Sequence, residues 1–95
     1  MASVYILHSE KLGKFYIGSC DDLFYRIQQH HLKEFVGSFT AKASDWELFL
    51  SVDNLEYQRA RLIESHIKRM KSRKYILNLK SYPKILLKLI ERYNK

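Results

Sequence analysis

Ser3-Val4-Tyr5-Ile6-Leu7-His8 and, after a short connection, Lys14-Phe15-Tyr16-Ile17-Gly18-Ser19 decide how the rest of this chain is read. Both runs are rich in β-branched and aromatic residues, and Ser9-Glu10-Lys11-Leu12-Gly13 between them supplies the glycine that a hairpin turn needs. The spacing predicts a strand over residues 4–8 paired with one over residues 14–19. Side chains alternate across a strand, so Tyr5 faces away from Val4 and Ile6, while Tyr16 and Gly18 share a face opposite Phe15 and Ile17. With matching register the two phenols lie on one side of adjacent strands. Gly18 then leaves room beside Tyr16 for a substrate to approach the backbone.

Outward from this hairpin, Asp21 or Asp22 can cap a helix running to about Leu32, with Leu23, Phe24 and Ile27 turned inward. Arg26 and His30 are four apart on it and share a face. Residues 33–44 read as a loop carrying Thr40 and Lys42. Trp46, Leu48, Leu50 and Val52 alternate with Glu47, Phe49 and Ser51, which predicts a third strand. Asp53-Asn54-Leu55-Glu56 reads as a capping box opening a helix to about Lys71. Its buried stripe is Ala60, Ile63, Ile67 and Met70, and Glu64 borders that stripe. A connector with Tyr75-Ile76-Leu77, briefly extended, leads to Ser81 as the cap of a final amphipathic helix over about 82–93. Pro83 fits its first turn, and its apolar stripe is Tyr82, Ile85, Leu86, Leu89, Ile90 and Tyr93. The chain, 1–95, reads as a single α+β domain without repeats or linkers.

Composition narrows the classes. Ninety-five residues make one domain near the lower limit for a self-sufficient core, and a hydrophobic fraction of 46% argues against disorder. Cys20, the single cysteine, has no internal disulfide partner, and the N-terminus carries no secretory leader. Both point to a reducing, cytoplasmic location. The longest apolar stretch, Ile85 to Ile90, is interrupted by Lys88, so no helix spans a membrane. Residues 1–58 hold five Lys/Arg and eight Asp/Glu, a net −3, whereas residues 59–95 hold twelve Lys/Arg and only Glu64 and Glu91, a net +10. That asymmetry favours a polyanionic partner, nucleic acid before a membrane surface. A solvated basic surface serving solubility alone is the plainer alternative.

Among residues that could carry chemistry, Glu64 stands out as a carboxylate in a strongly cationic half. Neighbouring positive charge keeps such a group ionised, as Mg²⁺ requires of a ligand. The plainer reading pairs it with Arg61 or Lys68 on the same helix. Arg26 can donate two hydrogen bonds to a phosphate and offset charge growing in its displacement, or it can simply pair with Asp22. His30 could orient water or phosphate, and His31 lies about 100° further round the helix, so the two make a poor zinc site. His8 and His66 show no ligand spacing. A phenol titrates near ten, so Tyr5 or Tyr16 can act as a base only beside a cation. Thr40 and Lys42 could bind backbone phosphates.

Taken together and in order, these residues resemble the GIY-YIG nuclease superfamily, in particular small stand-alone members similar to the catalytic domain of the bacterial excision nuclease subunit UvrC. Ser3-Val4-Tyr5 stands where the family has Gly-Ile-Tyr, and Tyr16-Ile17-Gly18 matches the second half of the motif. Arg26 and His30 fall at the family's arginine and following His or Tyr, Thr40 at its loop threonine, and Glu64 at its metal-binding glutamate. Ser3 and Val4 depart from the motif, and Asn78 corresponds by order alone to a late family asparagine. The resemblance covers roughly residues 3–72. It implies a small three-stranded antiparallel sheet flanked by helices and a DNA endonuclease using one Mg²⁺ or Mn²⁺ held by Glu64, in DNA repair or related work. Tyr5 is the implied base, Arg26 the phosphate cation, and Tyr16 and His30 position water or phosphate. Gly18, Thr40, Lys42, Arg61, Lys68 and Lys71 are the expected nucleic-acid contacts, with DNA as partner and RNA as the alternative. Selectivity for structure rather than sequence is expected. Two readings compete with this: a nucleic-acid-binding module of the same fold that does not cut, and an interaction domain whose last helix pairs with another protein or with itself.

Overall fold

Antiparallel hydrogen bonding between β1 (Ala2–Ser9) and β2 (Lys14–Cys20) forms the hairpin that the two tyrosine runs predict. The computed structural model describes residues 1–31 and 43–93, and for His30 and His31 the backbone alone. After the hairpin come α1 (Leu23–His31), β3 (Glu47–Leu55), α2 (Tyr57–Met70), α3 (Arg73–Ser81) and α4 (Pro83–Arg92). β3 pairs antiparallel with the other side of β1, giving the order β2-β1-β3, with β2 and β3 at the edges. Gly13 takes φ 64° in the turn, a left-handed conformation natural to glycine, and its N–H donates to the Ser9 carbonyl at 2.8 Å. The architecture is the expected α+β one, a small antiparallel sheet with helices on both faces.

Strand alternation assigns each sheet face its own cluster. Val4 and Ile6, with Phe15 and Ile17 of β2, pack under Ala60, Ile63 and Ile67 of α2, and Ile76 of α3 and Leu89 of α4 close this cluster. On the opposite face Tyr5, Leu7 and Cys20 pack with Ala43 and Trp46, flanked by Tyr16 and by Leu23 and Ile27 of α1. Each fully buried aliphatic side chain contributes about 1.5–3 kcal/mol by leaving water, so most of the fold's stability sits in the two clusters.

Local chemistry explains where the elements begin. Asp22 Oδ1 accepts the Tyr25 N–H at 3.0 Å, the expected cap of α1. The capping box at Asp53 does not form. The Ser3 hydroxyl donates to Asp53 Oδ1 at 2.9 Å and holds that residue in β3. Asn54 then turns through φ 59°, and Glu56 occupies the cap position of α2 without a side-chain cap bond. Tyr75-Ile76-Leu77 is helical rather than extended. Ser72 Oγ accepts the Tyr75 N–H at 3.1 Å to start α3, and Ile76 and Leu79, three apart, bury one face. Ser81 ends α3 instead of capping α4. Tyr82 takes that position, with Pro83 as the first helical residue. Phe24 and Met70 face solvent, against expectation.

Three polar contacts dock α4. Arg59 Nη2 donates to the Ile90 carbonyl at 2.8 Å, His66 Nδ1 meets the Tyr93 hydroxyl at 2.9 Å, and Arg69 reaches the same hydroxyl at 3.4 Å. Leu89 is buried and Ile85, Leu86, Ile90 and Tyr93 are half-buried, so most of the stripe is covered by the chain itself. Only Tyr82 of that stripe stays exposed. An α4 held free for another protein does not fit this packing. No helix among the described residues is long and apolar enough to cross a membrane.

Candidate active site at the outer edge of β2

Register brings the two phenols together: Tyr5 sits opposite Gly18 and Tyr16 opposite Leu7, with ring centroids 6.3 Å apart on the α1 face. Tyr5 is 0% exposed, whereas Tyr16 is half-buried and meets Trp46 edge-on at 6.5 Å. The space at Gly18 is filled from within, because a Cβ there would come within 2.5 Å of the Tyr5 hydroxyl oxygen. The room expected for a substrate is therefore occupied by Tyr5 itself. Arg26, one turn into α1, hydrogen-bonds the Tyr5 phenol. Burial, reinforced by Tyr16, pushes that phenol well above its ordinary value, and the Arg26 guanidinium pulls it down without overcoming burial. Burial likewise raises the Cys20 thiol, which is free and enclosed in the same cluster. An oriented guanidinium beside one sealed and one accessible phenol is an arrangement suited to holding a phosphate.

Glu64 approaches the same strand from its other side. On α2 it is half-buried, and its Oε1 accepts a short hydrogen bond from the Ser19 hydroxyl while Oε2 pairs with Lys68 Nζ at 2.6 Å. Ser19 lies opposite Val4 in register and so faces α2, away from Gly18 and Tyr16. The structure thus joins Tyr5, Tyr16 and Arg26 on one sheet face and places Glu64 against the other. The edge of β2 that pairs with no other strand among the described residues lies between them. Ser19 was missed by sequence reasoning, although its place directly after Tyr16-Ile17-Gly18 and the strand period give its direction.

The remaining expected residues are dispersed. His30 belongs to α1, with only its backbone described, and Thr40 and Lys42 lie outside the described residues. Arg61 is exposed and donates to the Tyr57 hydroxyl at 2.9 Å, its guanidinium carbon 5.6 Å from the centroid of that ring. Lys68 and Lys71 line an open groove beside β2, which Lys14 and Arg73 also line. Neither Lys14 nor Arg73 was singled out from the sequence, because one belongs to the hairpin and the other to a segment read as a connector. Two serine–aspartate contacts also went unread. They are Ser3 to Asp53, and Ser9 Oγ donating to Asp45 Oδ1 at 2.6 Å.

No cluster of three or more His, Cys, Asp or Glu side chains suited to a metal exists among the described residues. A lone carboxylate still suits Mg²⁺, which keeps several waters and takes one or two carboxylates together with substrate oxygens. Glu64 meets that requirement once Lys68, whose side chain is 51% exposed, releases Oε2.

A three-stranded antiparallel sheet between helices, with this tyrosine pair and arginine, defines a small α+β domain built around two motif strands. The chain matches the GIY-YIG catalytic domain over residues 1–76 and belongs to that family, whose members carry nuclease-type activity on nucleic acid. Comparisons with curated proteins and with solved structures give no match.

Proposed function

We propose that this single domain is a divalent-metal-dependent endonuclease that hydrolyses DNA phosphodiesters, selecting substrate structure rather than sequence. The observation that carries the reading is the Arg26 guanidinium held by the buried Tyr5 phenol beside the accessible Tyr16. A fixed cation lowers the barrier by meeting negative charge as it develops on phosphate, with no reorganisation at the moment of reaction. Tyr5 is a poor base, since it has no exposed surface and holds its proton more tightly than usual. Its role is to orient Arg26. Tyr16 is the phenol that a water can reach, and it takes the part expected of Tyr5 in accepting or steering the water's proton. Glu64 and Ser19 would hold one Mg²⁺ or Mn²⁺, which when bound supplies positive charge to the scissile phosphate and leaving oxygen. The substrate strand lies across the outer edge of β2, where both sheet faces are within reach.

Cleavage of labelled single-stranded, duplex, flap and junction DNAs, with and without Mg²⁺ or Mn²⁺, tests the proposal. Wild-type protein should cut only with metal, and Glu64→Gln should abolish cutting while retaining binding. Equal cutting by Glu64→Gln purified in parallel would assign the activity to a contaminant. A second reading, a binding module that does not cut, draws support from Glu64 having both oxygens engaged by Ser19 and Lys68. Tight binding without metal-dependent cutting of any of the four substrates, or of matching RNA, would establish it.

A further inference from the structure

Beside the edge of β2, between the hairpin and the turn joining α2 to α3, lies an open groove of about 320 Å³. Among the described residues that line it, Lys14, Lys68, Lys71 and Arg73 are cationic and none is acidic. Its floor is apolar, made from Phe15 and Ile17 of β2 with Ile67 and Ile76 of the helices. A cationic border alone would suit any polyanion, including the outside of a duplex. An apolar floor is of no use to a duplex backbone, whose bases are already stacked inward. It suits an unpaired base, which has an apolar face to bury and a phosphate on either side. The volume lies at the small end of ligand pockets, the scale of one nucleotide rather than several.

We propose that this groove is a subsite for one unpaired nucleotide, so that the protein engages strands with a single-stranded segment. The inference rests on the nuclease reading and adds the substrate class. Arg73 is held at the rim of the groove, because its Nη1 donates to the Gly13 carbonyl at 2.8 Å and its guanidinium carbon sits over the Phe15 ring, 5.6 Å from the centroid. That contact keeps a cationic group beside the apolar lining, where a base can meet it. Lys71 stands in a left-handed conformation (φ 46°) at the end of α2, an exposed position that directs the chain into the turn. Lys68 lines the groove and pairs with Glu64, so a phosphate in the groove competes with Glu64 for the same ammonium. Occupation of the groove therefore releases Oε2 of Glu64 for a cation, and binding of strand and metal should reinforce one another.

Fluorescence anisotropy in EDTA, where no cutting occurs, measures the first part with equal-length labelled single-stranded and blunt duplex DNA. The single strand should bind at least fivefold tighter. Lys71→Asn, which suits a left-handed position, and Lys71→Asn/Arg73→Gln should reduce that preference stepwise to within twofold, with thermal melts confirming that both fold. Equal or tighter duplex binding by wild type, or an unchanged preference in folded Lys71→Asn, would overturn the assignment. For the second part, Mn²⁺ affinity is measured by electron paramagnetic resonance with and without a short single strand carrying nuclease-resistant phosphorothioate linkages, and the Mn²⁺ bound by the strand alone is subtracted. The strand should tighten Mn²⁺ binding in wild type and not in Lys68→Met, and equal tightening in both would remove Lys68 as the link. Strand preference without cutting would sink the nuclease reading and leave the groove standing, whereas cutting without strand preference would do the reverse.

Discussion

Tyr5 and Tyr16 are the same residue type eleven positions apart, yet the fold gives them different chemistry. Tyr5 is sealed with its proton held tightly and Arg26 beside it, while Tyr16 keeps an accessible face. Tyr16→Phe should therefore lower kcat by about 10²–10⁴, the usual worth of a positioned proton acceptor. Tyr5→Phe should act mainly by loosening Arg26, with a smaller loss of kcat and a raised KM. Steady-state kinetics on one DNA substrate separates the two, and a larger loss of kcat in Tyr5→Phe would reverse the roles. Gly18→Ala drives a Cβ into the Tyr5 hydroxyl, an overpacking that costs roughly 1–3 kcal/mol. The melting temperature should fall by roughly 5–20 °C. Asp45 offers a pH test: the Ser9 hydroxyl and the Lys11 N–H hold its carboxyl below the usual value of 3.8. The stability it confers is full above that value and is lost as pH falls through the lower folded one. Melts between pH 6 and 2.5 should show Asp45→Asn with a flatter acid limb than wild type.

At the scale of elements, the hairpin, α1 and α2 were legible because each carries a strong period or a local cap. β3 forms without the alternation read for it: Trp46 precedes the strand in the other cluster, Leu48 is exposed, and Phe49 packs with Leu50 and Val52. Val4/Ile6 against Tyr5/Leu7 assigns the two faces, and Asp22 caps α1 as its position suggests. Asp53 misled because its carboxylate serves the Ser3 hydroxyl fifty residues away in the chain, a tertiary contact with no local trace. The Tyr75 segment misled for a different reason. Three adjacent residues of strand-like type outweighed the Ile76/Leu79 spacing and the Ser72 cap, which prevail once α2 and α4 offer a surface to bury against. In the site, Arg26 and the tyrosines could be grouped from spacing. The side of the sheet reached by Glu64 required the register. The seam holding α4 should also respond to acid. His66 packs against Tyr75 and Tyr93, with Arg69 and Arg92 near and Lys88 lining the same recess. Burial first, then Arg92 and Arg69, lowers its value below 6.5, favouring the neutral ring. Stability from this seam is complete above 6.5 and declines as pH falls through the lower folded value. Hydrogen exchange should show α4 amides losing protection at pH 5 relative to pH 8, and His66→Gln should remove most of that difference.

Over the whole molecule, charge is divided as the sequence indicates, with twelve cations after residue 58 against two acids. Neutralising Arg61, Lys68 and Lys71 together should lower DNA affinity and reduce the slope of log K against log salt by about two to three. A slope equal to wild type would place the phosphate contacts elsewhere. Among the described residues β2 is an edge strand, bonded to β1 on one side only. Exposed strand edges invite pairing between molecules, and lysines along them are a common deterrent. Lys14 at the start of β2, with Lys68, Lys71 and Arg73 alongside, sets like charges face to face whenever two copies approach by this route. Colloidal behaviour and ligand capture thus depend on the same few ammonium and guanidinium groups. Substitutions that erase them to abolish binding should also leave concentrated stocks prone to turbidity.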